Sequence, residues 1–213
     1  MKTAIITGAT GLVGKQLLQQ LLAHPEYEKV IAVVRRPVEI NHEKLTAMVI
    51  DFEKLPSALD GVKADDGFCC LGTTIKAAGS KERQYRIDHD YVVEFALGCL
   101  NAGVNRFGVV SSIGANASSS NFYLRTKGEM EGDLKKIPFR TLVIVEPSFL
   151  MGDRSEFRTG ENIAAGIMKI AGPLMVGGLK KYRGVTDTSV AAAMIREIQK
   201  EQEGIHMITS DKI

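Results

Sequence analysis

The chain has 213 residues, among them 27 Lys and Arg against 25 Asp and Glu, which gives a formal net charge of +2. Because these charges are scattered and form no basic stripe, we expect no nucleic acid partner. The three cysteines, Cys69, Cys70 and Cys99, lack the spacing of zinc ligands or of a complete disulfide set. We therefore expect no metal and a reducing, cytoplasmic location.

The hydropathy pattern is that of one globular unit. No apolar stretch approaches the roughly 20 residues that span a bilayer, so no membrane association is expected. The short apolar run at residues 4–6 is interpreted as a strand and not as a leader, since a glycine turn follows it directly. No repeat or Pro/Ser-rich linker divides the chain, which predicts a single domain over residues 1–213.

Short apolar runs alternate with longer amphipathic stretches along the chain. The runs predict buried strands at residues 2–7, 30–34, 47–50, 67–71, 106–110 and 141–145, and a final strand at residues 204–209 that closes one edge of the sheet. The stretches predict helices at residues 12–23, 81–101, 121–136 and 188–201, the last capped by Asp187 or Thr188. This alternation predicts an α/β fold with a doubly wound, mostly parallel sheet. Residues 151–184 lack clean periodicity and are predicted to form a small, irregular substrate lid.

Three glycines punctuate the turn between the first strand and the first helix. Gly8, Gly11 and Gly14 are spaced GxxGxxG, which lets backbone N–H groups and the helix N-terminus approach a pyrophosphate, as in a Rossmann fold. Glycine-rich turns also occur without a ligand, but the position at the first turn favours nucleotide binding. A GxxxxGK[ST] phosphate loop is excluded, because Ala9 and Gln16 occupy two of its required positions. The other residues of this turn expected at the cofactor are Thr10, Leu12 and Val13.

The second strand is followed by Arg35 and Arg36. An Asp or Glu about 20 residues beyond the glycines would favour NAD(H) by binding the ribose hydroxyls, and none stands at this strand end. A guanidinium instead binds a phosphate through paired, charge-assisted hydrogen bonds. We therefore predict NADP(H) as the cofactor over NAD(H), against the alternative that the two arginines are only solvated.

Tyr123 and Lys127 lie four residues apart in a predicted helix, so their side chains share one face. The ammonium of Lys127 would favour the ionised phenol, and Tyr123 could exchange a proton with a carbonyl oxygen while a nicotinamide supplies hydride. Ser111 or Ser112, at the end of the preceding strand, could hold that oxygen. The Tyr-xxx-Lys pattern also arises by chance, but its occurrence after the glycine turn favours the catalytic interpretation.

Several segments together carry a family resemblance. They are TGATGLVG at residues 7–14, VVRR at 33–36, FCCLGTT at 68–74, VVSSIGANASSSNFYLRTKGEME at 109–131 and PSFLMGDR at 147–154. With them the chain resembles, over nearly its whole length, the atypical or extended short-chain dehydrogenases/reductases. Within that family it is similar to the Tat-interacting-protein-like oxidoreductases and their small bacterial relatives.

The resemblance implies a role for each matching position. The glycines would bind the pyrophosphate, and Arg35 and Arg36 would bind the 2′-phosphate. Further cofactor contacts are implied at Asp51 and Phe52 beside the adenine, at Leu71, Gly72 and Thr73 beside the nicotinamide ribose, and at Ser111 and Pro147. The catalytic residues would be Ser112, Tyr123 and Lys127, with Lys127 also bonding the ribose hydroxyls. Ser112 is preferred to Ser111 because it lies further into the loop.

Two positions depart from the family pattern. Asp88 stands where many extended members have an Asn that supports the tyrosine–lysine helix, and Glu146 precedes Pro147 where relatives often have Arg. The chain is also shorter than fully extended members, which implies a small substrate pocket under the lid.

The sequence thus predicts an NADPH-dependent oxidoreductase that reduces a small carbonyl compound, with Tyr123 as general acid. Two alternatives stay open: a regulatory protein that binds NADPH with little turnover, and an epimerase or dehydratase with bound NAD, since fold alone does not fix the reaction. The chain could act as a monomer or as a homodimer.

Overall fold

A seven-stranded sheet forms the centre of the protein, whose computed structural model describes residues 1–151 and 182–213. The strands of the described part are β1 Lys2–Thr7, β2 Tyr27–Val34, β3 Leu45–Val49, β4 Asp66–Cys69, β5 Arg106–Val110, β6 Thr141–Glu146, β7 Leu150–Met151, β8 Val185–Thr186 and β9 Gly204–Thr209. The order across the large sheet is β3-β2-β1-β4-β5-β6-β9, and β7 pairs separately with β8. Every pairing in both sheets is parallel.

Helices connect the strands of the large sheet. In the described ranges they are α1 Leu12–Ala23, α2 Ile75–Ala78, α3 Lys81–Tyr85, α4 Tyr91–Asn101, α5 Phe122–Leu134 and α6 Asp187–Gln199. A π-helical turn, Arg86–Asp90, joins α3 to α4. Short 3₁₀ helices occur at Phe52–Lys54, Ser57–Leu59 and Ser210–Lys212.

The sheet is buried on both faces, which is why its strands read as apolar runs. Successive side chains of β1 point to opposite sides: Ala4 and Ile6 pack with α1 and α6, whereas Ile5 packs with α4 and α5. Each face therefore has its own hydrophobic core, and both cores hold the central strands rigidly. The loops at the carboxyl ends of those strands are built on this fixed base.

The predicted fold class is confirmed, with boundary differences that have local causes. The strand predicted at residues 67–71 ends at Cys69, because its neighbour β1 ends at Thr7 and the chain turns at Gly8. The Cys70 N–H donates to the Thr7 carbonyl at 3.0 Å at this end of the pair. The helix predicted at residues 81–101 contains the π turn. The predicted caps of the last helix are wrong, since Thr186 caps it through its hydroxyl and the Ser189 N–H at 3.0 Å.

The predicted lid, residues 151–184, lies mostly outside the described residues. At its two ends the chain forms β7 and β8, which the sequence pattern did not predict. In the part of the chain that the structure describes, no helix is long and apolar enough to cross a membrane.

Candidate functional site

A cleft of about 1060 Å³ opens at the carboxyl ends of the central strands. It lies where the strand order reverses between β1 and β4, the position at which open α/β sheets bind ligands. The predicted site residues that line it are Thr10, Gly11, Leu12, Val13, Leu71, Gly72, Thr73, Ser111, Ser112, Tyr123, Lys127 and Pro147. The structure therefore brings the glycine turn and the tyrosine–lysine helix to one cavity.

Two of the three glycines are required by packing behind the cleft. A Cβ on Gly14 would lie 2.0 Å from the Gly8 carbonyl oxygen, so any side chain there would separate α1 from the turn. Gly8 has a φ of +76°, and a Cβ on it would lie 2.5 Å from the Cys70 carbonyl carbon. Gly11 differs, because it is exposed and a Cβ would only approach the Gly8 oxygen at 3.3 Å.

The N-terminus of α1 has the character of an anion site. Its N-cap is Gly11, which offers no side-chain acceptor, and the first turn contains no acidic residue. The first N–H groups of a helix carry partial positive charge and need acceptors. Because this helix end faces the cleft, its residues fit the pyrophosphate of a dinucleotide.

The residues predicted at the adenosine end lie outside the lining of this cleft. Arg35 and Arg36 are exposed after β2, whose Val33 pairs with Thr7 just before the glycine turn. Neither arginine forms an ion pair with another residue of the described ranges, so both guanidiniums can take a ligand. This placement fits a phosphate on the adenosine ribose.

Asp51 and Phe52 have structural partners. The Asp51 carboxylate caps the following 3₁₀ helix by accepting the Glu53 N–H at 3.1 Å. The Phe52 ring is buried against Tyr91 in an edge-to-face contact at 5.5 Å. An adenine at this position could therefore meet the backbone of Phe52 but not its ring.

Tyr123 and Lys127 both face the cleft from α5. Lys127 is buried, and its Nζ lies 3.6 Å from Oδ2 of the fully buried Asp88. Burial lowers the pKa of Lys127, but the charges of Asp88 and Tyr123 outweigh that effect, and the pKa is raised above its ordinary value. Asp88, singled out as a family departure, is thus the counter-charge of the lysine.

The two serines at the end of β5 have different surroundings. Ser111 is buried, and its hydroxyl donates to Glu131 Oε1 of α5 at 2.5 Å, which occupies its proton. Ser112 is half-buried in the cleft wall, and its hydroxyl makes only a 3.4 Å contact with the Ile113 carbonyl among the described residues. Ser112 is therefore the serine whose hydroxyl can turn toward a ligand.

Glu146, the second family departure, lies beside the buried Glu131. Burial and the neighbouring Glu131 carboxylate raise the pKa of Glu146, while Lys135 opposes them weakly. Lys135 also approaches Glu131 Oε2 at 3.4 Å. The two glutamates and Ser111 form a polar group at the carboxyl ends of β5 and β6.

A tight contact positions the loop of residues 111–121, here called the serine loop, on α5. The Asn116 N–H donates to the Leu124 carbonyl at 3.0 Å, which joins this loop to the first turn of α5. A Cβ on Gly128 would lie 2.2 Å from the Ala117 nitrogen and 2.3 Å from the Asn116 carbonyl carbon. Gly128 is thus required for the approach, and the sequence analysis missed it because the contact joins separate segments.

Gln84 is a second residue that the sequence analysis missed. It is buried in the cleft wall, and its Nε2 donates to the Thr73 carbonyl at 3.1 Å. Its Oε1 is buried without a hydrogen-bond partner among the described residues. Gln84 and Asp88 are four residues apart in a predicted helix, so their side chains share one face, and this spacing was the available signal. The described ranges contain no cluster of His, Cys, Asp and Glu suited to a metal ion.

Comparison with known proteins identifies the family. A family model described as NAD(P)H-binding matches residues 8–201. The chain belongs to this NAD(P)H-binding family. Protein HTATIP2 of Rattus norvegicus is 38% identical over 167 residues, which are 76% of this chain and 69% of that protein. Protein fmp52-1, mitochondrial, of Aspergillus terreus is 35% identical over 219 residues, covering 100% of this chain and 94% of that protein. The resemblance to atypical short-chain dehydrogenases/reductases is confirmed.

Solved structures agree on the fold of this family member. A short chain dehydrogenase family protein from Francisella tularensis matches with a TM-score of 0.68 and 16% identity, covering 100% of this chain and 98% of that chain. MoeE5 in complex with UDP-glucose and NAD matches with a TM-score of 0.70 and 16% identity, over 96% and 74% of the two chains. At such identities the likeness concerns the fold alone.

The expected cytoplasmic location is wrong. The fungal relatives, including that of Aspergillus terreus, are named as mitochondrial proteins. The expectation rested on cysteine usage and on the lack of a secretory signal peptide or membrane-spanning stretch, and none of these separates the cytoplasm from a mitochondrion.

Proposed function

We propose that this NAD(P)H-binding protein is an NADPH-dependent oxidoreductase that reduces a small carbonyl compound. The observation that supports it is the shared cleft, in which the uncapped N-terminus of α1 faces the same cavity as Ser112, Tyr123 and Lys127. One end of that cavity fits a pyrophosphate, and the other holds a proton donor and a hydroxyl.

The chemistry divides among few groups. NADPH held by the glycine turn and Lys127 would supply the hydride that reduces the carbonyl carbon. The Tyr123 hydroxyl donates its proton to the carbonyl oxygen, and the Ser112 hydroxyl holds that oxygen during the transfer. The products are the alcohol and NADP⁺, and the tyrosinate recovers a proton from water. Lys127 orients the ribose and stabilises the transient negative charge on the phenol.

Arg35 and Arg36 support the preference for NADPH. They are exposed at the end of β2, unpaired within the described residues and next in the sheet to the glycine turn. A guanidinium there would bind a 2′-phosphate, whereas no carboxylate stands at that strand end to bind the ribose hydroxyls of NADH.

The catalytic assignment is tested by following NADPH oxidation at 340 nm with a panel of aldehydes, ketones and quinones. We expect wild type to reduce a member of the panel. Tyr123→Phe should lose at least about 100-fold in rate while binding NADPH normally, because only the proton donor is removed. If both proteins bind NADPH and neither reacts, the cofactor-sensing alternative is favoured. Retention of NAD through purification would favour the epimerase or dehydratase alternative.

The cofactor preference is tested by titrating NADPH and NADH into Arg35→Asp and Arg36→Asp. We expect NADPH affinity to fall by about 10-fold or more in at least one variant, with little change for NADH, since only NADPH carries the extra phosphate. Lys29→Asp, an equal charge reversal on an exposed residue near the start of β2, is the control. Equal losses of both cofactors would contradict the assignment.

A further inference from the structure

Asp88 connects two parts of the cleft that are distant in sequence. It lies fully buried in the π-helical turn Arg86–Asp90. Its Oδ1 accepts the Thr73 N–H at 2.7 Å, and its Oδ2 lies 3.6 Å from Lys127 Nζ. One carboxylate thus contacts both the loop after β4 and the cation of α5. π turns inside helices occur frequently at functional sites.

The titratable groups that face Lys127 come from three elements. Asp88 faces it from the π turn, Tyr123 from α5, and Cys69 from β4, with Cys70 directly after that strand; burial raises the pKa of the Cys70 thiol as well. Burial raises the pKa of the Cys69 thiol to about 12, so that group is neutral near pH 7. Lys127 has a raised pKa and is a cation. Asp88 is therefore the negative charge that opposes Lys127 at the site.

An uncompensated ammonium beside a phenol favours the phenolate, which is a base and suits the oxidation of alcohols. A buried ion pair has no net charge and exerts a much weaker field on its neighbours. We propose that Asp88 is a positioning residue that compensates Lys127, keeps Tyr123 protonated as a proton donor, and thereby adapts the site to carbonyl reduction. This rests on the proposed function of Tyr123.

The geometry allows the effect of the Asp88 charge to be separated from that of its contact with the loop after β4. Gly72 lies above the pair, where a Cβ would be 3.8 Å from Asp88 Oδ2 and 3.9 Å from Lys127 Nζ. An Asn at position 88 has nearly the same shape and retains an oxygen that can accept the Thr73 N–H. Asp88→Asn therefore removes the charge and keeps the acceptor, whereas Asp88→Ser removes the charge with a smaller side chain.

The test uses the tyrosinate absorbance near 295 nm, measured during a pH titration of the protein without cofactor or substrate. The chain has five Tyr and no Trp, which leaves this wavelength clear. Burial raises the pKa of Tyr27, Tyr85 and Tyr91, so these phenols ionise late. Subtracting the titration of the matching Tyr123→Phe protein isolates the signal of Tyr123 in each background.

We expect the Tyr123 signal to form about one pH unit lower, or more, in Asp88→Asn and Asp88→Ser than in wild type. The matched control is Asp90→Asn, which removes a carboxylate from the same turn. Asp90 contacts Arg86 and His89 and not Lys127, so its loss should leave the signal in place. If Asp88→Asn fails to fold, the Tyr123 signal of Asp88→Ser tests the proposal in its place.

An unchanged Tyr123 signal in a folded Asp88 variant would overturn the proposal, as would an equal shift in Asp90→Asn. Neither result depends on turnover. If the Tyr123 signal shifts in the Asp88 variants but wild type reduces no carbonyl compound of the panel, the charge compensation by Asp88 is supported and the proposed reaction is rejected. If Tyr123→Phe loses turnover but the Tyr123 signal does not shift in Asp88→Asn, the proposed reaction is supported and the charge compensation by Asp88 is rejected.

Discussion

The sheet has a buried carboxylate at each end, and the two are held differently. At the amino end Asp66 is fully buried, with Oδ1 bonded by Arg106 Nε at 2.5 Å and Oδ2 bonded by the Tyr27 hydroxyl at 2.8 Å. At the carboxyl end Asp88 is equally buried, but Lys127 lies at 3.6 Å, beyond ordinary hydrogen-bond distance. The first carboxylate is enclosed by direct bonds, and the second contacts a cation that lines the cleft.

This difference separates a structural use of buried charge from a functional one. Arg106 also bonds Glu201 at 2.8 Å, so the amino-end group joins β4, β5 and the segment before β9. Removing one partner of such a pair leaves a buried charge alone and destabilises the fold. The carboxyl-end pair is looser, which leaves Lys127 able to bind the proposed cofactor as a further partner. We therefore expect variants at the amino end to affect stability and variants at the carboxyl end to affect binding and catalysis.

The largest effect is expected for Arg106→Met, which should destabilise the protein by about 3–5 kcal/mol and lower Tm by roughly 10 °C. NADPH binding should be unchanged at temperatures where the variant is folded. The measurement is thermal unfolding beside a cofactor titration. The control is Arg140→Met, whose 2.9 Å pair with Glu203 is exposed and worth at most about 1 kcal/mol.

The pH dependence of Arg106→Met provides a second check. Burial raises the pKa of Asp66 even though Arg106 and Tyr27 oppose the effect. A carboxyl with a raised folded pKa favours folding at low pH, and that contribution is lost as pH rises through the folded pKa. Without Arg106 the pKa of Asp66 rises further, so the stability deficit should be greatest near pH 8 and smaller near pH 5. A deficit independent of pH would contradict the role of Asp66.

An intermediate effect is expected at the carboxyl end for Gly128→Ala. A new Cβ would clash with backbone atoms of residues 116 and 117 and displace the serine loop, at a cost of about 1–3 kcal/mol. Turnover should fall even where the variant is fully folded, because Ser112 would move relative to Tyr123. Gly132→Ala is the matched control, since its Cβ would meet nothing within 4 Å and Ala favours the helix by about 1 kcal/mol. Equal stability and turnover in Gly128→Ala and Gly132→Ala would contradict the role of Gly128 in the contact with the serine loop.

The sequence predicted the strands and the glycine turn better than the contacts that join separate segments of the chain. The apolar strands and the glycine turn follow from local patterns that any chain of this fold must show. The π turn could not be predicted, because it changes the hydrogen-bond pattern of a helix without changing its residue types. Gly128 looked like any helical glycine until residue 117 was placed against it. Ser111 and Ser112 could not be separated by spacing, since only the position of Glu131 shows which hydroxyl is already occupied.

The smallest expected effect concerns Glu146, at the carboxyl end but behind the cleft. Burial and Glu131 raise the pKa of Glu146, so its ionised form is disfavoured in the folded protein. Its contribution to stability is present at low pH and lost as pH rises through the folded pKa. Glu146→Gln imitates the protonated acid and should raise Tm near pH 8.

Calorimetry of Glu146→Gln across pH decides whether Glu146 is held by favourable contacts, as Asp66 is by Arg106, or is more loosely held, as Asp88 is by Lys127. The advantage over wild type should shrink as pH falls and vanish near pH 4, where Glu146 itself carries the proton. Glu28→Gln, on an exposed residue of β2, should show no such trend. If Glu146→Gln instead lowers stability at every pH, the carboxylate of Glu146 is held by favourable contacts. The carboxyl end would then contain a second enclosed charge like Asp66, and the contrast between the two ends would be restricted to Asp88 and Lys127.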